Sequence, residues 1–267
     1  MNTSYKVVRS APGSGVLLAV AAAIVGLAIS LPWWGESSWM REFVEIACYF
    51  IFAMMWNLMA GYGGMVSIGQ QAFFGLGGYV MLIAGNFLGI NPFVAVVVGA
   101  VLAAAVAVPV SWVAFRLQGG YFAIGTWVIA EVFRLGFANV SAVGGGSGTT
   151  LTALRGIERA TRESVTYWMA LACVVASIAL VYLFLRSKRG LALLAIRDNE
   201  VAARSQGIAV DRMKLAVYVV AAFGAVLLGV VAREMRWDIP GLDAYAGYAM
   251  AAAGFLALAH TLKRNEH

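Results

Sequence analysis

The sequence predicts an all-α fold: a polytopic integral membrane helical bundle of about eight transmembrane helices, in one domain spanning 1–267. Three observations carry this. The 267 residues are 62% hydrophobic and only 12% charged, where a soluble domain carries about 25% charge. The apolar residues gather in runs near the 20 residues that a helix rising about 1.5 Å per residue needs to cross lipid. The charges collect between those runs. A chain of this length cannot bury so much apolar surface in a soluble core.

The runs fall at 16–34, 43–60, 70–88, 93–115, 121–139, 165–185, 214–232 and 244–262. The first follows Lys6 and Arg9 like a secretory signal, but it lacks a small-x-small cleavage site and further spans follow, so it reads as a retained helix. The second carries Asn57, and the third opens in a glycine-rich stretch. The fourth is uniformly apolar and the fifth holds Glu131 and Arg134. The sixth and seventh flank the most charged part of the chain, and the eighth is rich in alanine and glycine. Run length suits helices, since barrel strands alternate in shorter segments.

Charge sets the expected orientation. Between the sixth and seventh runs, seven cations (Arg186, Lys188, Arg189, Arg197, Arg204, Arg212, Lys214) outnumber three anions (Asp198, Glu200, Asp211). Basic loops stay in the cytoplasm, so 186–214 and both termini are expected there, in a multi-pass membrane protein. The 140–164 loop then falls outside, its slight positive charge opposing the rule mildly. Trp33, Trp34 and Trp39 suit an interfacial belt at the outer end of the first span.

Several chemistries find no support. Cys48 and Cys173 sit in apolar runs without ligand spacing. The histidines are His260 and His267, which exclude a His-rich metal site. "GGGSGTT" (144–150) has Thr149 where a phosphate loop needs lysine, so no ATP site is expected there. No Ser-His-Asp set can be assembled, and no aromatic-basic motif suggests nucleic acid. The chain is expected to be no enzyme, with no catalytic, metal or cofactor residues.

Two segments and one pair carry information. In "GYGGMVSIGQQAFFGLGGY" (61–79), the glycines weaken a helix by about 1 kcal/mol each and permit close backbone approach. Ser67, Gln70 and Gln71 place polar groups at membrane depth, where they must face protein or water. Two readings stay open for them and for Asn57: a broken helix lining a translocation path, or a tight helix seam with polar contacts. Glu131 and Arg134 are i,i+3 partners, read as a local intramembrane ion pair near the outer end of their helix.

The stretch "GLALLAIRDNEVAARSQGI" (190–208) reads as one helix ending at Gly207. Leu191, Leu194, Ala195, Val201, Ala202 and Ile208 share a broad face, which Asp198 interrupts. Arg197, Glu200 and Arg204 lie on another, with Glu200 able to pair with both arginines at about 0.2–0.5 kcal/mol each. Too short and too charged to span, it is either an interfacial helix docking on a protein or a solvated loop helix.

"AIRDNEVAARSQGI" resembles the cytoplasmic coupling segment of ATP-binding-cassette importer permeases, with Ala202, Ala203 and Gly207 following Glu200 as in the loop that docks on the ATPase. "WNLMAGYGGMVSIGQQAFFGLGGY" (56–79), "FRLQGGYFAIGTWVIAEVFRLGF" (115–137) and "RSKRGLALLAIRDNEVAARSQGIAVDRMKLAVYVVAAFGA" (186–225) resemble, in order, LivM-type permeases of branched-chain amino acid importers. The resemblance implies a transmembrane permease subunit for branched-chain amino acids or related small solutes, in the bacterial inner membrane. It implies ATPase-coupling positions at Arg197, Asp198, Glu200, Ala202, Ala203 and Gly207. The implied partners are a second permease subunit, two ATP-binding subunits at the cytoplasmic face, and an extracytoplasmic substrate-binding protein. ATP would be bound by the partners, not by this chain. After about Val231 the pattern departs from the family, whose members continue with further spans, so a truncated permease-like subunit that binds partners without transporting is the alternative reading.

Overall fold

A computed structural model describes residues 14–144 and 158–234. Every regular element among them is helical: α1 Ser14–Trp34, α2 Ser37–Asn57, α3 Gln70–Asn86, α4 Pro92–Ala114, α5 Gly120–Ala138, α6 Arg159–Arg186, α7 Lys188–Asp198, α8 Glu200–Ser205 and α9 Val210–Glu234. A π-helical turn, Leu58–Tyr62, prolongs α2, and a short 3-10 turn, Ser141–Val143, follows α5. Helices occupy the first seven predicted spans. The eighth, 244–262, lies outside the described residues, as do residues 145–150 of the glycine loop, the chain termini and both histidines.

Four helical stretches among the described residues are long and apolar enough to cross a membrane: Ser37–Tyr62, Val94–Ala114, Gly120–Ala138 and Arg159–Arg186. Their outward faces are apolar, as at Ile46, Val97, Val101, Trp127 and Leu183. A fold whose rim is leucine, valine and tryptophan uses lipid as part of its solvent.

The centre of the bundle is α9, which packs against α2, α3 and α4. Its inner face is Val217, Ala221, Ala222, Ala225 and Val226, all buried, with Tyr218 between Phe73 and Phe115. Small residues bring these helices together. A Cβ added at Gly77 of α3 would lie 2.5 Å from Val226 Cγ1, and one at Gly224 of α9 would lie 2.5 Å from Met55 Sδ. Lipid gives helices little hydrophobic reason to associate, so such close contacts and their dispersion energy hold the bundle. The α3–α5 seam adds Tyr79 stacked on Phe137 at 4.2 Å.

The two ends of the bundle differ. At one, Glu163 of α6 accepts hydrogen bonds from Arg41 of α2 (3.1 Å) and Arg159 (2.9 Å), joining the starts of α2 and α6. Tryptophans ring this end: Trp33 meets Trp168 and Trp34 meets Trp39 edge to face. The Tyr167 hydroxyl donates to the Ala28 carbonyl, fastening α1 to α6. At the other end, α7 and α8 lie across the feet of α2 and α9.

These contacts predict that Gly77→Leu lowers stability by about 1–3 kcal/mol, the usual cost of forcing methylenes into a packed seam. Gly75→Ala, whose added Cβ meets nothing within 4 Å, is expected to be neutral or mildly stabilising. Thermal denaturation of the detergent-purified variants checks both.

Candidate functional site

The structure joins the two informative segments. At the foot of α2 the chain widens into the π turn and ends at Gly64, whose φ of +68° suits glycine because it carries no Cβ. Residues 63–69 are then non-helical before α3 begins at Gln70. The glycine stretch is therefore broken, as one of the two open readings has it. The segment folds back alongside α2: Trp56 Nε1 donates to the Ser67 carbonyl at 2.9 Å. The Ile68 amide donates to Thr126 Oγ1 at 3.2 Å, and the Gly69 amide to Ser67 Oγ at 3.3 Å. Gly69 is obligatory here, since a Cβ would stand 2.2 Å from the Thr126 carbonyl oxygen. Backbone that leaves the helical ladder here finds its partners within the protein.

Ser67, Gln70 and Thr126 are each 1% exposed. Gln70 Nε2 donates to Met59 Sδ at 3.0 Å, and the side-chain oxygens of Gln70 and Gln71 are buried without a hydrogen-bond partner among the described residues. Asn57 stands apart from them. It is exposed and packs beside Gly61.

The coupling stretch departs from expectation in three respects. It is two helices, not one, because Asn199 takes an extended conformation (φ −158°, ψ 107°) and caps α8, its side chain accepting from the Ala202 amide at 3.0 Å. Ser187 caps α7 in the same way through the Arg189 amide. Second, Arg197 does not pair with Glu200, because the bend at Asn199 turns the two apart. Arg197 instead lies along Asp198 (3.2 Å) and donates from Nη1 to the Gly61 carbonyl at 3.0 Å. Third, the buried face is Gly190, Leu193, Ile196 and Ala203, while Leu191 (68% exposed), Val201 (77%), Ala202 and Gly207 face outward. The bend rotates α8 relative to α7, which a continuous helical wheel cannot show.

Two anchors hold this elbow. Leu193, fully buried, sits over Gly63, and Arg197 reaches the π turn. On the other side, Glu200 bridges Arg204 (3.2 Å) and Lys214 of α9 (2.6 Å), and Arg204 also meets Asp211 (2.8 Å). Burial alone would raise the Glu200 carboxyl, but the hydrogen bonds from Lys214 and Arg204 outweigh it and hold it below the usual carboxylate value. Gly207, at φ +81°, turns the chain into α9.

Glu131 and Arg134 form the expected pair, Arg134 Nη2 to Glu131 Oε1 at 2.5 Å, on an otherwise apolar outward face of α5 with Ile124, Val128 and Leu135. The Arg197–Gly61 and Glu200–Lys214 contacts escape sequence reasoning because they join distant positions. The Asn199 cap was legible as Asn before Glu and an apolar run. Among the described residues no cluster of three or more His, Cys, Asp or Glu could hold a metal ion.

Comparison with known proteins supports one family. The model of the branched-chain amino acid transport system permease component matches residues 40–264. The match runs past Val231 and corrects the expectation that the likeness stops there. The permease protein LivM of the high-affinity branched-chain amino acid transport system of Salmonella typhimurium is 26% identical over 212 residues, covering 68% of this chain and 50% of that protein. LivM of Escherichia coli K12 is 25% identical over 230 residues, covering 75% and 53%. The chain thus spans about half the length of the curated relatives it matches. No solved structure matches.

Two predictions follow from this geometry. Because the carboxyl of Glu200 is held low, its links to Lys214 and Arg204 are complete above its ordinary value of 4.5 and are lost as pH falls through the lower folded-state value. A spin label on Val201 should keep constant mobility from about pH 8 to about pH 5 and loosen only below that range. Glu131→Gln should lower the yield of folded protein by leaving the Arg134 charge unpaired in an apolar face, with Arg134→Gln added to it restoring the yield, as read by size-exclusion chromatography.

Proposed function

We propose, since the chain belongs to the branched-chain amino acid transport system permease component family, that it is the membrane-spanning subunit of an ATP-driven importer in the bacterial inner membrane. The solute is a branched-chain amino acid or a related small molecule. The observation that carries this reading is the hydrogen bond from Arg197 to the Gly61 carbonyl, which ties an exposed, protein-facing elbow to the broken, glycine-rich part of the bundle.

In this reading the elbow end is cytoplasmic, as its positive charge favours, and the tryptophan-ringed end is external. Two ATP-binding subunits dock on the surface formed by Leu191, Val201, Ala202 and Gly207. An exposed patch of small and apolar side chains in an otherwise charged elbow suits a protein contact. Asp198 and Glu200 hold the shape of the elbow through Arg197, Arg204 and Lys214, and Ala203 packs it down with Ile196 and Val210.

When the ATP-binding subunits close, the elbow moves and transmits the motion along two routes. Arg197 and Leu193 act on the π turn and the 63–69 segment, and Glu200 and Arg204 act on the foot of α9. Segment 63–69 has no helical ladder of its own, so it shifts by exchanging the contacts that Ser67 and Ile68 make with Trp56 and Thr126. Because α9 contacts α2, α3 and α4, a push at its foot tilts the bundle between inward- and outward-open arrangements. The solute arrives from an extracytoplasmic binding protein and passes between this chain and a second permease subunit.

Val201→Glu is expected to abolish co-purification of the ATP-binding subunits without changing thermal stability, because Val201 is 77% exposed. Arg197→Ala is expected to leave co-purification intact and reduce leucine uptake into proteoliposomes by at least about tenfold. Normal uptake by Arg197→Ala would show that motion does not travel through the Gly61 contact.

A further inference from the structure

We propose that the buried carboxamide of Gln70 contacts the solute during passage, its oxygen accepting a hydrogen bond from an N–H-bearing head group, an ammonium or a primary amide. The inference rests on the transport reading above and adds to it a residue and a recognised chemistry.

Gln70 opens α3 and is 1% exposed. Its Nε2 donates to Met59 Sδ at 3.0 Å. A thioether accepts and cannot donate, so this contact fixes which way the amide is turned: nitrogen toward sulfur, oxygen away from it. That oxygen has no hydrogen-bond partner among the described residues, and neither does the buried oxygen of the adjacent Gln71. Four donors of this region are committed elsewhere. Trp56 Nε1 is spent on the Ser67 carbonyl, and the Ile68 amide on Thr126 Oγ1. The Thr126 hydroxyl donates to the Ala123 carbonyl, and the Gly69 amide to Ser67 Oγ.

Two successive residues therefore keep buried acceptors that the surrounding fold leaves unpaired, where leucine or methionine would fill the same volume without that cost. A thioether is also the weakest partner the amide nitrogen could be given. Groups held this way favour any arrangement that supplies a donor. The complement of the Gln70 carbonyl oxygen is a head group that carries N–H donors. A carboxylate alone, which only accepts, is disfavoured there. The position fits access during gating: Gln70 follows directly on segment 63–69, which moves with Arg197 in the proposed mechanism, so a shift of that segment uncovers the amide.

The test uses the assembled transporter in proteoliposomes, with radiolabelled leucine as the probe, and the melting midpoint of each purified complex. Gln70→Leu is expected to hold or raise the midpoint, retain the ATP-binding subunits, and lower leucine uptake by about tenfold or more. Gln70→Glu, which keeps an acceptor oxygen at the same reach, is expected to retain most of the uptake. Unchanged uptake with Gln70→Leu overturns the proposal. So does a fall in midpoint in parallel with uptake in both variants, which would make the amide a structural bond. Equal loss of uptake in the two variants with midpoints unchanged shows that acceptor chemistry is not what matters and also overturns it. A wild-type complex that takes up no leucine defeats the transport reading itself, an outcome distinct from a Gln70-specific failure.

Discussion

Backbone that leaves helical geometry among packed helices must find its hydrogen-bond partners elsewhere in the protein. Segment 63–69 is where this molecule meets that constraint, and much of its organisation answers it. Trp56, Ser67 and Thr126 satisfy the segment from α2, from itself and from α5. Glycines at 64 and 69 permit the turn and the close approach. The segment is closed at its foot by Arg197, which spends one guanidinium nitrogen on the Gly61 carbonyl. In the proposed mechanism the break gives the bundle a part that moves without unwinding a spanning helix.

The elbow of α7 and α8 is built for the same economy of motion. Its two caps, Ser187 and Asn199, stiffen each half by satisfying amides that would otherwise be orphaned at the helix starts. Its ion pairs lie mainly at the surface, where such contacts contribute little to stability. They fix direction: Glu200 and Arg204 set the angle at which α8 meets α9, and Arg197 sets the contact of α7 with α2. The side chains of Leu191 and Val201 are thereby left exposed.

Much of the fold was legible in the sequence because lipid imposes long apolar runs, and seven of the predicted segments coincide with helices. The glycine break was legible only as one of two readings, since many glycines among polar residues suit a broken helix or a tight seam alike. The Glu131–Arg134 pair was legible because i,i+3 spacing on a helix is local geometry. The coupling stretch was read as one helix because its apolar spacing continues through Asn199, which hides the bend. Leu191 and Val201, grouped on one apolar face, lie outside, while Leu193 and Ala203 do the packing. Asn57 was grouped with Ser67 and Gln70 by polarity alone, but its position on α2 turns it outward. No spacing rule could join Arg197 to Gly61, residues 136 apart, or Lys214 to Glu200.

The central claim is that the elbow and the broken foot of α2 move as one body, displaced together relative to α5 when the ATP-binding subunits close. Electron–electron distance measurements test this most directly, with Cys48 and Cys173 replaced and spin labels placed on exposed positions. A pair on Lys188 and Asn57 lies within the linked body, and a pair on Asn57 and Tyr121 reports its movement against α5. The account predicts that trapping ATP leaves the first distance distribution unchanged and shifts the second. A first distance that changes while the second stays fixed would mean that the elbow slides over the bundle without carrying the glycine segment, and would contradict the account.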